Sequence, residues 1–154
     1  MVRLADLSPE EAQHLREHPC EPFSTQPFVQ GPPVSERRIC VITTAGLHLR
    51  DQSAWQGGDA DYRVFPGDVD PDELVMGHVS VNFDRSGFQQ DVNVVFPMQR
   101  LRELQRQGEI GSLADFHYSM MGATATPDAL ENSVRELAGL LRDDNVDSVL
   151  LFPV

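Results

Sequence analysis

Three histidines stand beside hydroxyl- and glycine-bearing residues. His48 follows Thr43-Thr44-Ala45-Gly46-Leu47. His78 precedes Asn82, Asp84 and Arg85. His117 leads into Tyr118, Ser119 and Gly122. An imidazole titrates near neutrality, so it can donate a hydrogen bond or move a proton. Threonine, serine and glycine at a strand end can turn backbone N–H groups toward an anion such as a carboxylate. The plainer alternative makes the same residues turn-formers and core or surface histidines, and both readings stay open on spacing alone. His14 and His18, four apart with Cys20 nearby, have the spacing that puts two imidazoles on one helix face, as zinc requires. No HExxH acid accompanies them and Pro19 bends the chain, so a solvated helix face is preferred and no metal is expected. GxGxxG, GxSxG and a Ser-His-Asp order are absent.

The elements that must position these groups come from a chain of 154 residues, a length that suits one domain. Asp and Glu number 24 against 12 Lys and Arg, for a formal charge of −12. That balance argues against nucleic acid and anionic membranes, which need a basic patch. All twelve basic residues are arginine, which excludes Schiff-base, pyridoxal phosphate and P-loop chemistry through a lysine of this chain. There is no signal-peptide core and no apolar run of membrane-spanning length. Two widely spaced cysteines, Cys20 and Cys40, make no disulfide framework. The expectation is a reduced, cytoplasmic protein.

Ser8-Pro9-Glu10-Glu11 predicts a capped helix ending near His18, followed by a proline-rich arm to residue 37. Residues 38–154 then form the main domain. Arg38–Gly46 predicts a buried strand, 51–68 a loop, 74–81 a second strand and 82–92 irregular chain. A helix is expected over 97–107, a strand over 116–121, a helix through Leu130, Val134, Leu137, Ala138 and Leu141, and a buried-type strand over 147–153. Strands alternating with helices predict an α/β fold with a mostly parallel sheet flanked by helices, or the first lobe of a two-lobed protein. Ligands of such sheets bind beyond the carboxyl ends of the strands.

Five segments in order, RICVITTAGLHLR (38–50), YRVFPGD (62–68), HVSVNFD (78–84), DVNVVFPMQRLREL (91–104) and GEIGSLADFHYSMMG (108–122), resemble the glycine/sarcosine/betaine/D-proline reductase selenoprotein B family. The resemblance implies an oxidoreductase that cleaves a C–N bond reductively, with electrons from thiols or a selenol, beside partner subunits. Carried onto the matching motifs, it implies that Thr43, Thr44, Gly46, His48, His78, Asp84, Ser119 and Gly122 shape a pocket for a small amino-acid-like substrate. In relatives, a strand like VLLFPV (149–154) is followed at once by the redox selenocysteine or cysteine. The expectation is therefore that the redox residue would follow Val154, that this chain holds no catalytic redox residue or cofactor of its own, and that selenocysteine belongs to a full-length relative. The sequence is then the N-terminal part of a longer selenoprotein, cut at a UGA codon, which predicts an exposed apolar edge on the last strand or helix layer and self-association, or a short paralogue without the redox centre. A non-catalytic small-anion-binding or accessory protein is the alternative of different class.

Overall fold

The computed structural model describes residues 3–17, 24–80, 85–123 and 127–154. The chain divides into two compact units, Met1–Gln30 and Gly31–Val154. In the first, helix α1 (Pro9–Glu17) starts as expected. The Ser8 hydroxyl accepts the Glu11 N–H at 3.2 Å while the Glu11 carboxylate accepts the Ser8 backbone N–H at 3.2 Å, closing the capping box. His18 and Cys20 lie outside the described residues.

In the second unit, strand β1 (Arg38–Thr43) is the axis of an α/β sheet. On one side it pairs in parallel with β5 (Ser112–Leu113) and then β6 (Phe116–Met120), and on the other with β7 (Ser148–Phe152). Strand β3 (Tyr62–Pro66) is antiparallel to β6, while β2 (Leu47–Leu49) and β4 (Leu74–Met76) form a separate antiparallel pair. Helix α2 (Ser86–Gln90) is short. Helix α3 (Met98–Arg106) places Met98 and Leu101 in one core with Ile39, Val41, Phe65 and Phe96. Helix α4 (Glu131–Asp143) places Leu137 in a second core with Cys40 and Tyr118. Alternate residues of β1 thus face opposite helices, the arrangement that makes its run apolar on both faces. No helix among the described residues is long and apolar enough to cross a membrane.

Several expectations change. The loop expected over 51–68 contains β3, because Tyr-Arg-Val-Phe is good strand material despite the turn signal of Pro66-Gly67-Asp68. The strand expected over 74–81 is only three residues long. β7 forms as expected, but at the sheet edge rather than buried: Val149, Leu150 and Leu151 are 41%, 38% and 67% exposed.

One irregularity shapes the sheet. From the Ile39–Leu113 pair to the Ile42–Tyr118 pair, β1 advances three residues and its neighbour five. The two extra residues make a bulge at Ala114–Asp115 that breaks the ladder. Val41 therefore lacks a backbone acceptor on that side. The buried His117 imidazole supplies one, its Nδ1 accepting the Val41 N–H at 3.0 Å.

Candidate functional site

The carboxyl ends of β1 and β7 meet the end of β6 at Thr44, Gly122 and Val154. The Thr44 N–H donates to the Phe152 carbonyl at 2.9 Å and the Gly122 N–H to the Thr44 carbonyl at 2.9 Å. The Val154 N–H donates to the Thr44 hydroxyl at 2.8 Å. Gly122 has to be glycine here, since a Cβ would stand 2.6 Å from the Val154 oxygen and 2.9 Å from the Thr44 oxygen. Gly46 turns the chain out of β1 with φ +60°, a left-handed value that suits glycine. A Cβ there would stand 2.8 Å from the Met121 methyl and 3.0 Å from the His78 Cα. Thr43, Thr44, Gly46, His78, Ser119 and Gly122 are thereby gathered around one end of the sheet.

The free amides expected at Thr43–Gly46 are not formed. The N–H groups of Thr44, Ala45, Gly46 and Leu47 already donate to the Phe152 carbonyl, the Thr43 hydroxyl, the Met120 carbonyl and the Ser119 hydroxyl, at 2.8–3.2 Å. Buried Thr43 and Ser119 use their hydroxyls to satisfy backbone groups that would be costly to leave unpaired. What remains for a ligand is the half-buried Thr44 side chain and the exposed surface at Gly122.

The three histidines do different work. The His48 ring packs on Gly77, where a Cβ would stand 2.9 Å from its Cδ2 and 3.1 Å from Trp55 Cδ1. His48 Nδ1 bonds the Leu49 carbonyl at 2.7 Å, so that nitrogen carries the proton. Trp55 is held by its indole N–H on the Leu47 carbonyl at 3.0 Å and by the Arg63 guanidinium 4.1 Å above its ring. His78 is buried, which pushes its pKa down. Its Nδ1 accepts the Ser80 N–H at 3.2 Å. His117 is away from the strand ends, edge-on to Phe96 with ring centroids 6.0 Å apart. Burial, with Arg102 adding to it, lowers its pKa to about 4. Asp84 lies outside the described residues.

Cys40 is fully buried between β1 and α4. Burial pushes its thiol up to about 12, with Asp144 adding to the shift. A thiolate is the reactive form, so this cysteine is inert at neutral pH.

A groove of about 600 Å³ opens at the opposite end of β1, where Arg38, Tyr118 and Leu140 line it. Arg38 there bonds the Leu113 carbonyl at 2.6 Å, the Asp115 carboxylate at 2.8 Å and the Asp144 carboxylate. Asp144 also accepts the Asp115 N–H at 2.8 Å. Sequence reasoning missed this cluster. The charged Arg38 at the mouth of an apolar strand was the available signal. Arg38 Nε also donates to the Asp144 carbonyl at 2.7 Å, so this guanidinium ties the bulge to the end of α4.

The family described as Glycine/sarcosine/betaine reductase selenoprotein B (GRDB) matches residues 68–153, more than half of the chain. The chain is 30% identical over 132 residues to the D-proline reductase subunit gamma of Acetoanaerobium sticklandii, covering 82% of this chain and 54% of that subunit. It is 29% identical over 150 residues to the glycine reductase complex component B subunit gamma of Symbiobacterium thermophilum, covering 90% and 33%. It is 29% identical over 122 residues to the betaine reductase complex component B subunit beta of Peptoclostridium acidaminophilum, covering 77% and 28%. The matched stretch thus spans about half or less of these relatives. No solved structure matches the chain at a significant level.

Proposed function

The chain belongs to the glycine/sarcosine/betaine reductase selenoprotein B family, and from that premise we propose that it is a component of a reductase acting on a small amino-acid-like substrate, together with partner subunits. The observation that carries the reading is the meeting of the β1, β6 and β7 ends at Thr44, Gly122 and Val154, where a parallel sheet binds its ligands. Thr44 and the Gly122 surface line the substrate side, with buried His78 behind them against Gly46. Thr43, Gly46 and Ser119 hold that surface in shape, and His48 stands behind it on Gly77.

The reaction class breaks one C–N bond with two electrons and two protons. The carbon gains a hydrogen, the amine leaves with the other, and a dithiol or selenol–thiol pair closes to a disulfide or selenosulfide. The reductant must be a low-pKa sulfur or selenium with access to the site. Cys40 is neither accessible nor ionisable at neutral pH. Cys40 is therefore not the electron carrier, and the family pattern implies a redox residue that follows the β7 strand. The test is C–N cleavage under a dithiol, read as amine release from glycine, sarcosine or betaine and as ring opening to a linear 5-amino acid from D-proline. The purified 154-residue chain is expected to give none, with Cys40→Ala indistinguishable. Dithiol-dependent cleavage that is lost in Cys40→Ser would overturn that exclusion.

A further inference from the structure

The free side of β7 is the feature the reductase reading leaves unused. β7 pairs with β1 on one side, and no described strand pairs with the other. The register sets Val149 and Leu151 beside Cys40 and Ile42 on the α4 face, and Leu150 and Phe152 beside Val41 and Thr43 on the α3 face. Both faces carry aliphatic side chains, and 149–151 are exposed. A strand apolar on both faces is the mark of an interior strand of a parallel sheet covered by helices. Nothing within Ser148–Phe152 blunts it as an edge: it holds no charge, proline or bulge.

Three observations choose the occupant. Every strand beside β1 runs parallel to it. The relatives carry much polypeptide outside the matched stretch, which is 54%, 33% and 28% of their lengths. A second copy fits worse. It would bring two chains of formal charge −12 together. A twofold axis would also set β7 antiparallel to itself across a five-residue edge, well short of the ~800 Å² per partner that a stable dimer uses. We propose that β7 is an interior strand whose free side receives a parallel aliphatic strand with its own covering helix, from polypeptide of the kind the longer relatives carry outside the matched stretch.

Phe152 turns its carbonyl to Thr44, just past the end of β1, so by strand alternation the Val149 and Leu151 amides face outward. Amide hydrogen exchange in this chain and in the intact D-proline reductase subunit gamma tests the proposal. The Val149 and Leu151 amides should exchange about tenfold or more faster here than the aligned amides of the intact subunit, while β1 amides are alike in the two. Light scattering should find this chain monomeric, or associated only loosely. Equal exposure of the strand in both proteins would overturn the proposal. So would a dimer of this chain that Leu151→Asp splits, since a second copy would then be the occupant. The proposal rests on family membership and not on the reaction, so a failed substrate titration leaves it standing.

Discussion

Acid should weaken this fold in a window that belongs to histidine. His117 is fully buried, and its pKa is lowered from 6.5 to about 4. Its Nδ1 is an acceptor for the Val41 N–H, so protonation would both charge a dry site and set two donors face to face. The folded pKa lies below the unfolded one. The stability is therefore complete above 6.5 and is lost as pH falls toward 4. Linkage puts the loss at about 2 kcal/mol by pH 5 and ~3 kcal/mol below pH 4. His78, also lowered by burial, adds in the same direction. The lowered carboxyls of Glu11 and Asp91 lose their contribution only below their unfolded values of 4.5 and 3.8, outside the range from pH 7.5 to 5.0. Urea unfolding between pH 7.5 and 5.0 measures the slope. His117→Gln keeps an acceptor for Val41 without a titrating ring, so most of the slope should vanish. A wild type flat over this range, or a His117→Gln slope equal to it, refutes the reasoning.

Other outcomes follow from the same contacts. Ser119→Ala should cost about 1–3 kcal/mol in chemical unfolding, because the buried Leu47 N–H loses its acceptor. Gly122→Ala should loosen the β7 tip, since its Cβ would stand 2.6 Å from the Val154 oxygen. Faster exchange of the Val154 and Thr44 amides reads this out. Arg38→Met should cost about 3 kcal/mol by stranding the Asp144 carboxylate, and adding Asp144→Asn should recover part of it. In a Cys20→Ser background, Cys40 should resist a thiol reagent at pH 8 until denaturant is added.

The elements that long apolar runs announce were legible: β1, α3, α4 and β7 lie close to their expected bounds. β2 and β3 were not. Leu47–Leu49 is too short to show a period, and Pro66-Gly67 hid the strand that ends there. The apolar character of β7 was read correctly, but a run of side chains does not tell whether its neighbour is present. The gathering of Thr44, His78 and Gly122 was implied only by the family resemblance, because spacing left it open and His78 follows β4 of the separate antiparallel pair. The use of the Thr43–Leu47 amides within the protein was not legible, because it depends on where Ser119 and Phe152 arrive. His117 was equally illegible, since its role exists only through a two-residue bulge between distant segments.

The central claim is that a small amine-bearing acid binds where β1, β6 and β7 end. Backbone amide chemical shifts, followed while D-proline, glycine, sarcosine and betaine are titrated in turn, test it most directly. The account predicts that at least one ligand moves Thr44, Gly122 and the segment around His78 together and leaves Arg38, Tyr118 and Asn145 still. Shifts confined to that opposite groove, or none with any of the four, would contradict it.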